Sequence, residues 1–388
     1  MDRALLIEKA QQMGPALSAR TSQLRQLRQL PDETIHELRE AGFFRMLQPK
    51  AWGGLEVHPS TFFEVQTCLA AACPSTAWVM AVLAVHSWQL ALFPHQSQID
   101  VWGADPHALI ASSYAPTGTV EIVDGGYRLS GEWSFSSGCD HCSWIFVGGM
   151  VPQGAHRAPQ MRTFLLPRAD WTIRDNWNVA GLEGTGSKDI VVAEAFVPEH
   201  RTHKLSDGYS GRSPGLEDHD GALFRLPFGQ IFVRSVSSSI IGALEGALEA
   251  YVRVAREKVA ASTGGKVSLD PVSQMVCAHA RATLDEVKLV LHRAMDELWS
   301  AAHAGEMVSI ERRALFRYES ARAVDRCTDA IDQLFTASGG RSIFLGNEMQ
   351  RYFADAHAIR AHFANKPESP GRNLGGIMLG VDNADLFI

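Results

Sequence analysis

Two histidines stand where a titratable ring is costly. His86 interrupts the apolar run from Ala77 to Phe93, and His362 closes the stretch Ala-His-Ala-Ile-Arg-Ala-His on the last long helical pattern. An imidazole in apolar surroundings needs a hydrogen-bond partner or a cavity to face. Trp78 precedes His86 by eight residues, about two helical turns, so the two share one face. Such rings can act as acid, base or ligand. Each taken alone reads better as a satisfied core or surface residue than as a functional one.

Other motifs offer less chemistry. Gly181 to Lys188 (GLEGTGSK) resembles a phosphate-binding loop, but Ser187 precedes Lys188 where the pattern needs Lys first. The stretch also joins two predicted strands and offers no helix N-terminus to a phosphate, so it reads as a flexible turn. Cys139 and Cys142 form a CxxC without the second ligand pair a zinc site requires. Strand signals on both sides also argue against a redox disulfide, which leaves two reduced cysteines in a loop. No Gly-x-Ser-x-Gly nucleophile elbow occurs.

The elements that must position these residues fall into three blocks. Helical spacing dominates residues 1–108, with Pro31-Asp32 opening one helix, Gly42 closing it, and Pro74-Ser75 recapping the apolar helix that carries Trp78 and His86. Residues 109–222 read as antiparallel β structure, a sandwich or barrel, with a hairpin at Asp124-Gly125-Gly126 and strands at 144–150, 162–166, 171–179 and 189–197. This block ends in the polar segment 206–221, predicted as a mobile linker. Residues 223–388 carry helical periods over 229–261, 271–304, 309–338 and 347–364, a four-helix bundle. The fold class is therefore α+β.

Composition bounds the rest. The 388 residues are 46% hydrophobic and 20% charged, with a formal charge of −7. That balance favours neither nucleic acid nor an anionic membrane. The Ala77–Phe93 run is short and interrupted for a membrane span. Six cysteines and a mixed-charge start, MDRALLIEK, suit a cytoplasmic protein.

Four landmarks occur in one order: LPDETIHELREAGFFRMLQPKAWGG, GEWSFSSGCDH, GLEGTGSKDIVVAEAFVPEH and ASGGRSIFLGNEMQRYFADAH. Together they resemble the acyl-CoA dehydrogenase fold over nearly the whole chain. The resemblance implies a helical domain, a middle β domain and a C-terminal four-helix bundle, assembled as a homotetramer with flavin between the β domain and the bundle. The catalytic glutamate of the dehydrogenases is missing. No carboxylate follows Ala354-Asp355-Ala356 through Asn365, and none lies between Phe232 and Ser238. Without that base, α-proton abstraction has no agent.

These departures look like the oxygenase components of two-component flavin-dependent phenol hydroxylases, with the secosteroid and 4-hydroxyphenylacetate hydroxylases nearest. There a flavin reductase supplies reduced FMN or FAD by diffusion, and the flavin reacts with O2 to a C4a-hydroperoxide that hydroxylates a phenol. The resemblance implies roles residue by residue. Ser137 is the hydroxyl donor to flavin N5, Phe135 covers the ring, and Ser136 lies between them. Ser112, or its neighbour Ser113, faces the flavin. Trp78 and His86 line the flavin and substrate pocket. His362 deprotonates the phenol or stabilises the hydroperoxide, and Arg234 holds flavin charge or a substrate oxygen. Lys258, Gly339 and Gly340 approach flavin across a subunit boundary. Competing readings keep the fold but oxidise a nitrogen, an indole or a sulfur heterocycle, move the dehydrogenase base, or serve as a non-catalytic scaffold.

Overall fold

A computed structural model describes residues 2–154, 157–259 and 264–388. Five helices come first: α1 (Arg3–Leu27), α2 (Asp32–Glu40), α3 (Pro59–Ala72), α4 (Pro74–Leu90) and α5 (His95–Trp102). Pro74 occupies the first turn of α4, where its missing N–H costs nothing, and thereby separates α3 from α4. Every residue of α4 is buried. A helix apolar on all sides belongs in the core, and this one carries Trp78 and His86 there.

Seven strands follow: β1 (Ile110–Val123), β2 (Gly126–Ser136), β3 (Trp144–Val151), β4 (Gln160–Pro167), β5 (Thr172–Arg174), β6 (Lys188–Pro198) and β7 (Thr202–Lys204). They form one sheet in the order β5-β6-β2-β1-β3-β4-β7. The predicted hairpin is present, with Gly125 at φ +73° in the turn. The expectation of a purely antiparallel block is corrected, because β1 and β3 run parallel from Ile110↔Trp144 to Ser113↔Val147. The physical cause is the crossover at residues 137–143. It carries the chain across the sheet after β2 instead of turning it back as a hairpin. The predicted strand over 171–179 shrinks to Thr172–Arg174.

The register of β1 shifts between Ser113 and Gly118. A Cβ at Gly118 would stand 2.2 Å from the Trp133 ring, so glycine lets that indole lie flat against β1. Trp133 then donates from Nε1 to the Gly148 carbonyl at 2.9 Å, bracing β2 against β3.

The segment 206–221, expected as a mobile linker, is instead held to the body. It contains α6 (Leu205–Ser210) and a 3-10 turn at Pro214–Glu217. The Gly215 amide donates to the Leu92 carbonyl at 3.1 Å, and Ser213 meets the His203 ring at 2.9 Å.

The remaining helices are α7 (Phe228–Ser237), α8 (Ser239–Glu257), α9 (Pro271–His303), α10 (Ile310–Ser338), α11 (Glu348–Ala361) and α12 (Glu368–Met378). The helix predicted over 229–261 is two helices broken at Ser238, and residues 260–261 lie outside the described residues. Three consecutive serines explain the break, since serine hydroxyls compete for helical carbonyls. Ser237 Oγ donates to the Arg234 carbonyl at 3.4 Å, which also takes the Ser238 amide. Helix α9, at 33 residues, is about 50 Å long. The stretch Phe228–Glu257 is apolar and long enough to cross a membrane, but 89% of its most apolar window is buried within the molecule. It is core.

Candidate functional site

The site is built where α4, the β2–β3 crossover and the end of α11 converge. Trp78 on α4 donates from Nε1 to Ser137 Oγ at 3.0 Å. The Trp78 ring also stands edge-on to His362, with centroids 5.6 Å apart. Three sequence-predicted residues, separated by up to 284 positions, therefore meet at one place.

An aromatic belt joins His362 to His86. Successive centroids run His362–Phe363 4.8 Å, Phe363–Phe387 6.1 Å, Phe387–Phe228 6.5 Å, Phe228–Phe232 5.4 Å, Phe232–Tyr114 5.1 Å and Tyr114–His86 6.2 Å. Such a run of rings offers flat apolar faces that suit an aromatic ligand, and it opens to solvent at Phe363, which is 57% exposed.

The two histidines carry opposite tautomers. His86 Nδ1 lies 2.5 Å from the Ile110 carbonyl, an acceptor, so the proton sits on Nδ1. Its Nε2 keeps a lone pair, is buried and has no hydrogen-bond partner among the described residues. Burial pushes the ring down to about 4, and only the Ile110 bond opposes that shift. His362 Nδ1 accepts from the Ala364 amide at 3.2 Å, so its neutral proton must sit on Nε2. Burial, with help from nearby Arg317, holds this ring near 4 as well. His86 thus offers a bare nitrogen, whereas His362 offers an N–H. The base role expected of His362 does not suit its hydrogen bond, and His86 has the free lone pair a base requires.

The serines separate clearly. Ser113 is buried and donates to the Ser134 carbonyl at 2.7 Å, facing into the sheet. Ser112 shares the strand face of Tyr114, whose phenol donates to Gln89. Ser112 is therefore the serine on the His86 side. Ser136 is fully buried and its hydroxyl has no partner. Phe135 has φ +65° and is 72% exposed, with its edge toward Trp177 at 6.2 Å. A bulky residue held in the left-handed region and facing outward is strained.

Arg234 is buried on α7. It donates from Nη2 to the Phe316 carbonyl at 3.2 Å, its Nε has no partner, and burial pulls the guanidinium down to about 10. Arg317 on α10 lies close by, with Nε and Nη1 unpartnered and the Asp385 carboxylate 3.8 Å away. Lys258 donates to the Ser338 carbonyl at 2.7 Å, beside Gly339 at φ +77° and the open Gly340. No described hydrogen bond or ring contact joins this second cluster to Ser137, Trp78 or His362.

Sequence reasoning missed the loop that underlies Ser137. Its hydroxyl meets Ser187 Oγ at 2.7 Å, and Ser187 meets Thr185 Oγ1 at 2.7 Å. Thr185 Oγ1 donates to the Leu182 carbonyl at 2.9 Å, and the Leu182 amide donates to Asp355 Oδ1 at 2.6 Å. Leu182 itself has φ +51°. The GLEGTGSK stretch is thus a pinned brace, not a flexible turn. Its outer side, Gly181 to Glu183, borders a groove of about 310 Å³ that Arg25, Asn347 and Arg351 also line. The signal was present in the hydroxyls of Thr185 and Ser187, read only as a failed phosphate loop. Burial raises the Asp355 carboxyl to about 6. With one oxygen committed to Leu182, it is no replacement for the absent glutamate. Cys139 and Cys142 are free, buried thiols, with Cys139 pushed up to about 12, and no metal-binding cluster occurs among the described residues.

The residues present fit an isoalloxazine. An outward aromatic in strained backbone, an orphaned buried hydroxyl at Ser136 and a hydroxyl at Ser137 lie in sequence on one strand end.

Comparison with known proteins gives the family. Residues 11–104 match the acyl-CoA dehydrogenase N-terminal domain family and residues 235–367 the acyl-CoA dehydrogenase C-terminal domain family. The chain is 41% identical over 355 residues to the flavin-dependent monooxygenase oxygenase subunit HsaA of Rhodococcus jostii (strain RHA1), covering 91% of this chain and 93% of that one. It is 35% identical to the FADH(2)-dependent resorcinol hydroxylase oxygenase component of Rhizobium sp. (strain MTP-10005), over 93% and 90% of the two chains. The crystal structure of 3-HSA hydroxylase from Rhodococcus sp. RHA1 superposes with a TM-score of 0.95 at 38% identity, covering both chains fully.

Proposed function

We propose how the site works in a chain that belongs to the oxygenase subunits of flavin-dependent monooxygenases built on the acyl-CoA dehydrogenase fold. The chain is the oxygenase component of a two-component hydroxylase: it uses reduced flavin and O2 and acts on a phenolic ring. A partner reductase supplies the flavin. The proposal concerns which residues do what, and it rests on one observation: Trp78, Ser137 and His362 meet from three distant segments, at one end of an aromatic belt that leads to His86.

Phe135, Ser136, Ser137 and Trp78 hold the isoalloxazine, with Ser112 on the His86 side. A reduced flavin held there would supply the oxygen-activating chemistry of the reaction. His86 Nε2 accepts the phenol O–H. A free phenol ionises near 10, so a hydrogen bond to a bare imidazole is what moves electron density to the ortho carbon. His362 Nε2–H donates to an oxygen at the opposite end of the belt. Arg234 supplies positive charge to the flavin or to a substrate oxygen. The His86 end of the belt, with Phe228 and Phe232, is buried, which strengthens the bond made there. The hydroxylated position is ortho to the phenol, and a phenolic secosteroid is the substrate class we favour, since the subunit at 41% identity is named HsaA and the superposed enzyme a 3-HSA hydroxylase.

We further assign Lys258, Gly339 and Gly340 to flavin held by a second subunit of a homotetramer. Val272, Met275 and Leu289 on α9 and Val254 on α8 are apolar side chains left exposed for such a partner. The setting is cytoplasmic, in keeping with six free thiols.

The test is a product assay with a flavin reductase, NADH and a panel of phenols that includes a phenolic secosteroid. Ortho-hydroxylated product from the intact phenol, and none from its O-methyl ether, is expected. Equal turnover of the ether would remove the role given to His86.

A further inference from the structure

The hydroxyl chain behind Ser137 has a direction, and the direction follows from counting protons. Each hydroxyl owns one. Thr185 places its proton on the Leu182 carbonyl at 2.9 Å. That carbonyl also receives the Trp177 indole N–H at 3.2 Å and the Thr185 amide at 3.0 Å, so it is the sink on which donors converge. With its proton spent, Thr185 Oγ1 meets Ser187 as an acceptor, and Ser187 must donate across their 2.7 Å contact. Ser187 then meets Ser137 as an acceptor, and Ser137 must donate across the next 2.7 Å. One lone pair of Ser137 takes the Trp78 indole N–H at 3.0 Å. What remains on Ser137 is a single lone pair. The expected donor is an acceptor.

The sink is itself fixed. The Leu182 amide is clamped by Asp355 at 2.6 Å, and the residue is held at φ +51°, a conformation unfavourable for a leucine. Gly138, next to Ser137, donates its amide to the Thr185 carbonyl at 2.8 Å, so backbone and hydroxyl chains run side by side. Thr185 and Ser187 are buried, which keeps water from supplying alternative partners.

We infer that Ser187 and Thr185 are positioning residues that orient the Ser137 proton inward, making the site select reduced over oxidised flavin. This rests on the placement of flavin N5 at Ser137 proposed above. Reduced flavin carries a hydrogen on N5 and needs an acceptor there. Oxidised flavin presents a bare N5 and needs a donor. An acceptor-only Ser137 satisfies the first and leaves the second facing a lone pair. Because the oxygenase takes reduced flavin from solution and must release oxidised flavin, this preference runs in the useful direction.

The test is binding, not turnover. Dissociation constants for oxidised FMN and for photoreduced FMN under anaerobic conditions are measured on the full chain, wild type and variants. Wild type is expected to favour reduced FMN. Ser187→Ala removes the inward acceptor and lets the Ser137 proton turn outward. It should tighten oxidised FMN and weaken reduced FMN, narrowing the ratio about tenfold, the effect of roughly one hydrogen bond. Thr185→Val should narrow it less, and Thr185→Ser should restore it. A merely structural loss weakens both ligands together, and that outcome overturns the inference. So does a wild type that prefers oxidised FMN, which would mean the protons run the other way. Ser137→Ala separates the two layers of argument. If it changes the ratio while Ser187→Ala does not, the relay is wrong and the flavin placement stands. If Ser137→Ala leaves the ratio unchanged, the placement falls and takes the relay with it.

Discussion

The two walls of the site are finished to different degrees. On the loop wall, Ser137, Ser187 and Thr185 each use their hydroxyl proton within the protein, and the chain ends on a clamped carbonyl. On the helix wall, His86 Nε2, Arg234 Nε and Arg317 Nη1 are buried without a hydrogen-bond partner among the described residues, and Arg317 Nε has only the Asp385 carboxylate at 3.8 Å. Buried polar groups are normally satisfied, and each exception costs on the order of 1–3 kcal/mol. A folded chain keeps such a deficit where a ligand can fill it. The loop wall is therefore arranged before anything binds, whereas the helix wall is completed by what binds. On the loop side the Ser136 hydroxyl, Asp140 Oδ2 and His141 Nε2 share the deficit, away from the Ser137–Ser187–Thr185 chain.

The largest effect that probes this contrast is acid loss of the helix wall. His86, His203 and His362 are rings held near 4, against an ordinary value of 6.5. Between those values the unfolded chain binds more protons than the native one, so stability rises with pH across the window. Their contribution is fully present above about pH 6.5 and is lost as pH falls toward 4. Each ring is worth on the order of 3 kcal/mol by this linkage. Asp355 opposes them: its raised value makes the native chain the better proton binder between about 4 and 6. Three rings outweigh one carboxyl, so the midpoint in urea should fall as pH drops from 6.5 to 4.5. A flat profile would mean that His86 is solvated and the wall is not dry.

Next comes the difference between the histidines. His86→Ala removes the bare nitrogen and His362→Ala removes the N–H. Each should cost about a hundredfold in hydroxylation rate, the lower range for a positioned proton donor or acceptor. Their substitutions by asparagine should differ. At His362, Asn can still accept the Ala364 amide and present an N–H, so His362→Asn should retain part of the rate and bind reduced flavin nearly as wild type. At His86, Asn offers only an amide oxygen as acceptor and should recover little. Single-turnover rates with excess phenol measure both. Equal losses for the two asparagine variants would erase the distinction drawn from Nδ1.

How much of this was legible beforehand follows the same division. The helical, β and helical succession was visible because periods of 3.6 and 2 leave direct marks in sequence. His86 stood out because a polar ring broke an apolar helix. The parallel β1–β3 pair was not visible, since strand direction depends on where a crossover lands and not on alternation. Nor was the break at Ser238, where local hydroxyl bonds override helical spacing. Ser187 and Thr185 were in plain view but carried no period, and their role exists only once Leu182 is clamped from a helix 173 residues away. The choice of Ser112 over Ser113 required knowing that Ser134 lies opposite. The histidine tautomers needed the carbonyl of Ile110 and the amide of Ala364.

A smaller effect tests how firmly the loop wall is pinned. Asp355→Ala leaves the Leu182 amide buried without an acceptor and should lower stability by about 1–3 kcal/mol. Asp355→Asn keeps an oxygen for that amide and sheds a desolvated charge, so it should be close to neutral above pH 6. Urea unfolding of both at pH 7.5 distinguishes them. A large loss from Asn would show that the charge, not the hydrogen bond, holds the loop.

The smallest effect concerns the two cysteines beneath Ser137. Cys139 contacts the Gly186 carbonyl at 3.6 Å and Cys142 the Gly138 carbonyl at 3.3 Å, so both thiols are packed into the finished wall. Burial raises both well above an ordinary thiol, and alkylation needs the thiolate. Iodoacetamide at pH 8 should therefore label the half-buried Cys277 first and leave Cys139 and Cys142 unmodified until the chain unfolds. A chelator should leave the melting temperature within about 1 °C, well inside the shift that loss of 1 kcal/mol would cause. Rapid labelling of Cys139 in the native protein would mean that the loop opens on its own. The hydroxyl chain would then break with it, and the contrast between a prearranged wall and a waiting one would not hold.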